Sequence, residues 1–294
     1  MRSFISIFFA IVFITTGVNA STNSNLDNKF ITKDIFVESL NLETFDNFLT
    51  SIDLFELSTS LQQTGSVFRL EINNNEGYFE LDNIPLASNY VELSANGYYF
   101  NEVSGYVTEG QLSLFALSDV TNNSTVNVNI LTHLEKKRIE YLTSQGQSFN
   151  EAKSTAQSEV LSFFGIEYSG INDSESLDIS ASGEGNAILL AVSVILQGTL
   201  SVGQLTELLA NISNDIKNDG IVDNINFINS LHYSSVEINL SNVRENIENR
   251  YSVLGLETSI PDFETYVLDF IDFSQEPLPV IETTEIISVS ESTA

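Results

Sequence analysis

The chain has no cysteine and no tryptophan, and only one methionine, two histidines and four prolines among its 294 residues. Without cysteine no disulfide can staple the fold, so buried apolar surface must supply its stability. Two histidines and no thiolate also leave too few donors for a zinc site of three or four nitrogen and sulfur ligands. Positive charge is the next scarcity: 11 Lys and Arg face 40 Asp and Glu, for a net charge of −29. Such a surface repels phosphate, which removes nucleic acid and anionic lipid from the set of partners. The signatures G-x-S-x-G, H-E-x-x-H and the P-loop are missing as well, so nothing marks a serine hydrolase, a zinc protease or an NTPase. No cofactor and no metal is expected, and no catalytic carboxylate pair can be chosen from forty candidates without geometry.

Two apolar runs stand out against this polar background. The first, residues 5–14, follows Arg2 and precedes Val18-Asn19-Ala20. Those are the three parts of a secretory signal peptide, which predicts export with cleavage after Ala20 and no membrane span once the leader is removed. The second run is Ala187-Ile188-Leu189-Leu190-Ala191-Val192-Ser193-Val194-Ile195-Leu196, in which Ser193 is the single polar residue. A helix apolar on every face must be buried on every face. At about 15 Å it is too short for a bilayer, which needs roughly 20 residues, so the amphipathic segments around it must be its cover.

The period of the pattern divides the rest. Residues 21–51 are rich in Asn, Ser and Asp and read as a partly ordered lead-in. Across 52–129 the period is two: Phe68, Leu70 and Ile72 alternate with Arg69 and Glu71, a turn is expected at Asn73-Asn74-Asn75-Glu76-Gly77, and further strands are expected over 90–93, 111–117 and 125–130. Short strands separated by turn residues indicate a small antiparallel β-sandwich. From 130 to 273 the period is 3.6. Ser148 with Glu151 and Ser201 with Gln204 have capping-box spacing, Gly165-Ile166 and Gly255-Leu256 have the form of a Schellman stop, and Pro261 is placed to open a last helix carrying Phe263, Tyr266, Val267 and Phe270. The expected fold class is therefore α+β in two domains, a β-sandwich followed by an all-α domain wrapped around the buried helix. Residues 274–294 begin with the stiff Pro277-Leu278-Pro279 linker and continue as one strand-like stretch, which is either a cut-off repeat or a disordered tail.

Part of the β region carries a resemblance. Gly77-Tyr78-Phe79-Glu80-Leu81-Asp82-Asn83-Ile84-Pro85, followed by Tyr90-Val91-Glu92-Leu93-Ser94-Ala95-Asn96-Gly97-Tyr98, resembles the carboxypeptidase regulatory-like (transthyretin-like) β-sandwich motif over roughly 75 residues. That family's module accompanies catalytic or transport domains without catalysing anything, and the resemblance implies the same here. The helical stretches Val128-Asn129-Ile130-Leu131-Thr132-His133-Leu134, Glu207-Leu208-Leu209-Ala210-Asn211-Ile212, Ile260-Pro261-Asp262-Phe263-Glu264 and the buried run resemble a domain pair of exported and surface proteins of Bacteroidetes-type bacteria. The tail is similar to the first strand of a fibronectin-type repeat. Many members of that domain-pair family carry a lipid-anchor cysteine, which this chain lacks.

Four local patterns invite a chemical reading, and each has a plainer one. Gly183-Glu184-Gly185 starts like a dinucleotide loop, but Ile188 stands where its third glycine belongs, so a tight turn into the buried helix is expected. Asp215, Asp219, Gly220 and Asp223 match positions of a calcium loop, yet Lys217 and Asn226 occupy ligand positions, which favours a helix stop. His133, between two helix-face leucines, is expected to be packed or capping. Glu135-Lys136-Lys137-Arg138 is expected to make local ion pairs on its own helix. Together these features indicate an exported, non-catalytic interaction or scaffold module whose partner is a surface protein or glycan, with polysaccharide binding or processing as the alternative.

Overall fold

The computed structural model describes residues 31–38, 42–43, 51–71, 78–122, 125–167, 170–254 and 259–275. Within them, eight strands precede seven helices. The strands are β1 (Ile31–Glu38), β2 (Leu42–Glu43), β3 (Ser51–Leu57), β4 (Gln63–Glu71), β5 (Tyr78–Leu86), β6 (Tyr90–Asn101), β7 (Tyr106–Val107) and β8 (Leu112–Asp119). The helices are α1 (Ile130–Ser144), α2 (Phe149–Phe163), α3 (Glu184–Gln197), α4 (Val202–Asp219), α5 (Ile225–Val236), α6 (Leu240–Leu254) and α7 (Glu264–Gln275). The class is mixed α+β, an antiparallel sheet followed by helices.

β6 is the spine of the larger sheet. It pairs with β3 along one edge and β8 along the other, β4 lies outside β3, and β2 and β7 join its far end. β1 and β5 form a separate antiparallel ladder. Register sorts the side chains, because residues directly opposite in an antiparallel pair share a face. Leu54 opposes Leu93, which opposes Ala116, and Ile52, Ala95 and Leu114 align in the same way, so these six buried residues line one face. Glu92, Ser94, Phe115 and Leu117 line the other face. There α1 lies down, with the His133 ring 5.5 Å from that of Phe115 and Lys136 3.5 Å from the Glu92 carboxylate. A strand covered on both faces reads as a nearly continuous apolar run instead of an alternation. This explains why Val91, Glu92 and Leu93 are all buried.

The helices begin and stop where their sequence signals stand. Both expected capping boxes close, Ser148 with Glu151 and Ser201 with Gln204. At the end of α2 the Gly165 N–H donates to Ser162 O and the Ile166 N–H to Leu161 O, which is the Schellman pair. α3 is buried over all of 187–197 and packs against α1, α5 and α7. One continuous apolar cluster runs from Ile52 and Leu93 of the sheet through Val126 and Val128 to α3 and to Phe263, just before α7.

The structure adds to one expectation and corrects others. The lead-in contains a strand, β1, whose short Ile35-Phe36-Val37 core is flanked by charge and carries no turn signal, so its pairing with β5 is visible only in three dimensions. Residues 125–130 are not a strand. Val126, Val128 and Ile130 are buried, but so are Asn127 and Asn129 between them; only isolated bridges form, and Asn129 caps α1 at the point where a ladder would have continued. The helical period of Ile225 to Leu231 continues to Val236, so α5 is longer than that stretch alone. α7 starts at Glu264 instead of Pro261, whose carbonyl accepts from the Phe263 N–H at 3.0 Å. The leader, the turn at 73–77, Gly255-Leu256 and the tail beyond Gln275 lie outside the described residues.

Candidate functional site

Charged side chains buried in an acidic protein are costly unless paired, so the places where this chain buries them are its chemical candidates. Two such junctions occur where the sheet meets the helices. In the first, Lys153 of α2 forms a close ion pair with Glu175 in the 3-10 turn Ser174–Ser176, and Ser118 of β8 donates to the same carboxylate oxygen at 3.2 Å. Beside it, Glu135 of α1 accepts from Ser174 Oγ at 2.5 Å, and Ser174 Oγ accepts from Gln157 Nε2 at 3.0 Å. The turn's backbone is gripped too: Asn129 Nδ2 donates to Ser174 O at 2.7 Å and the Asn127 N–H to Glu175 O at 2.8 Å.

Burial pushes the Glu135 carboxyl up to about 8, with the Ser174 hydrogen bond and the Lys153 charge pulling it back. It therefore carries a proton at neutral pH, while its neighbour Glu175 is paired with Lys153. An acid of this kind can store and release a proton. With Glu135 at 1% exposure and Glu175 at 2%, a substrate would reach it only if α1 and α2 parted.

The second junction closes the far end of α3. Gln197 Nε2 donates to Glu102 Oε2 at 2.6 Å, and the Glu102 N–H donates back to Gln197 Oε1 at 3.2 Å. Asn246 of α6 donates to the Glu102 carbonyl at 2.9 Å, and the Arg250 guanidinium lies 4.5 Å over the Phe100 ring. Burial first, and the Glu102 charge second, raise the Tyr99 phenol to about 12 and raise Tyr251 further. β6, α3 and α6 are thereby fastened at one point.

The patterns singled out in the sequence sit elsewhere. Gly185 lets α3 start close to the preceding loop: a Cβ there would come within 2.9 Å of Leu177, and Glu184 is used in accepting from the Tyr266 hydroxyl at 2.8 Å. Asp215 and Asp219 accept from the backbone N–H groups of Asn224 and Ile221, and Gly220 ends α4 in the left-handed region, so this is a helix stop. His133 is held at about 4 by burial, with Lys137 and Lys136 adding to the effect. His232 Nδ1 lies 2.8 Å from Ser274 Oγ, which donates to Phe270 O at 2.7 Å.

The basic run is less local than its spacing suggests. Lys136 does reach Glu140 on its own helix at 2.7 Å. Arg138, however, grips Glu159 of α2 with two bonds at 2.6 and 2.7 Å and donates to the last carbonyls of α4, Lys217 O and Asn218 O. Glu135, the first residue of that run, escapes sequence reading altogether. Its only signal is an acid four residues before the core position Ile139. Among the described residues no three His, Asp or Glu side chains gather as a metal site, and no single helix is long and apolar enough to cross a membrane. Compared with known proteins, the chain matches no family model, no curated protein and no solved structure.

Proposed function

We propose that this chain is a non-catalytic interaction or scaffold module of an exported surface protein, a transthyretin-like β-sandwich joined to an all-α unit. The observation that carries this reading is how the buried charges are used. Glu175 with Lys153 and Ser118, and Glu102 with Gln197, bind sheet to helix across the boundary near residue 130. Polar groups placed in this way stiffen a body; in a spacer or docking unit, stiffness is the useful property. The sandwich reading is supported by Ile84 and Leu86 of β5, which belong to the same buried cluster as the apolar face of the larger sheet. A panel of turnover assays on esters, peptides, phosphoesters and polysaccharides, run beside a glycan array, tests the reading. No product and no micromolar glycan binding is the expected result. Product release, or binding to a defined glycan, would replace it with a polysaccharide role.

A further inference from the structure

Lys153 and Glu175 are both buried, and the Phe149 ring lies 5.8 Å from the Lys153 ammonium. Lys153 Nζ bears directly on Glu175 Oε1. Because Oε1 is bonded to Cδ, the amine stands within van der Waals reach of a carboxyl carbon, which is the placement a nucleophile needs. The two oxygens of that carboxylate differ. Oε1 takes both Lys153 and the Ser118 hydroxyl, whereas among the described residues nothing donates to the buried Oε2. A buried charged oxygen without a donor is costly. A third group, the Glu135 carboxyl, feels the charges of both partners, and burial keeps it protonated at neutral pH.

We propose that Lys153 and Glu175 condense into an intramolecular amide, a covalent staple between α2 and the 3-10 turn that follows it, with Glu135 carrying the protons. The ammonium first passes one proton to the Glu175 carboxylate, leaving an amine and an acid without charge, which a dry site favours over two ions. Nζ then attacks Cδ. The N–Cδ bond forms and the bond from Cδ to Oε2 breaks. The Glu135 carbonyl oxygen accepts the proton leaving Nζ while its hydroxyl protonates Oε2, so Glu135 ends as it began and one water departs. Oε1 stays as the amide oxygen and keeps its bond from Ser118. The oxygen that leaves is the one without a donor, so the step removes an unsatisfied atom and two buried charges together. No oxidant or cofactor is consumed. A chain without cysteine has no disulfide, and this amide closes the segment 153–175 in its place. It goes beyond the scaffold reading above, being one event per molecule and not turnover.

Intact-mass spectrometry of the denatured full chain is the test. The parent should be one water lighter than its sequence, and trypsin should leave segment 139–217 whole, uncut at Lys153 and lacking that water. Lys153→Arg keeps the ion pair but not the amine; it should have full mass and melt at least about 5 °C below the parent. Glu135→Gln still offers an oxygen to Ser174, so it should fold, with the stapled fraction at a fixed time after synthesis reduced at least about tenfold. A parent of full mass, cleavage at Lys153, the same water loss in Lys153→Arg, or a staple that forms as fast in Glu135→Gln would each overturn the proposal. None of these outcomes bears on the turnover and glycan assays, so the two readings fail separately.

Discussion

Helices α3 and α5 touch each other, and both are nearly free of charge, yet one is sealed in the core and the other faces outward. Glu184 is the only charged residue of α3, and α5 has none. What separates them is the distribution of polar atoms. In α3 the one polar side chain within the apolar run, Ser193, is absorbed by donating to the Leu189 carbonyl at 2.8 Å, so no face asks for water. In α5 the amides Asn226 and Asn229 and the hydroxyl of Ser230 fall on one side, and that side is exposed. A missing charge does not by itself predict burial. Their close approach is set by Gly198 at the end of α3, where a Cβ would run into Ser234 of α5.

The contrast breaks most visibly at Val194, which is fully buried. Val194→Asp places a lone carboxylate where no partner or water can meet it, and the expected outcome is loss of the folded state by circular dichroism at 25 °C. Leu189→Ala on the same helix should cost about 2–5 kcal/mol in urea unfolding, from lost transfer energy and the cavity left behind. A Val194→Asp protein that melts with the parent would mean that α3 has a wet face after all.

A second expected effect concerns the buried proton. Glu135 titrates near 8 in the fold and near 4.5 when exposed, so the unfolded chain releases this proton at lower pH than the folded one. Its contribution to stability is complete below about 4.5 and is lost as pH rises towards 8, at about 1.4 kcal/mol per pH unit over that window. Glu135→Gln keeps an oxygen for Ser174 and cannot ionise. Urea unfolding of this variant from about pH 6.5 to pH 8 should show that slope removed, a window chosen because His133, held at about 4 by burial, adds a rise of opposite sign only below its exposed value of 6.5. Parallel profiles for parent and variant would show that Glu135 is wet or already ionised.

How much of this was legible in the sequence depends on whether the signal is local. The capping boxes, the glycine stop of α2 and the buried run of α3 each declare themselves within a few residues, and each stands in the structure as read. β1 could not be read, because an eight-residue segment broken by Lys33 and Asp34 and ending in Glu38 becomes a strand only by meeting β5 about fifty residues later. Residues 125–130 misled for the opposite reason. Alternating apolar residues are common to strands and to an extended segment laid across a core, and here the polar residues between them are buried too, with Asn129 capping α1. The junctions were invisible on principle: Glu135, Lys153 and Glu175 look like three ordinary surface charges until α1, α2 and the turn after α2 are brought together. Arg138 and Glu159 are hidden in the same way, twenty-one residues apart.

The smallest expected effect sharpens the comparison best, because it makes the same chemical change on the other helix. Tyr233→Glu, like Val194→Asp, puts a carboxylate on an uncharged helix face. At 70% exposure, however, the new charge keeps its water, and the inward residues Ile228 and Leu231 are untouched. Its effect on unfolding should stay within about 0.5 kcal/mol, as for surface substitutions generally. A cost above that bound would show that the α5 face is covered by its own chain. The two carboxylates together thus separate a helix that is neutral because it is buried within its fold from one whose neutral face meets water.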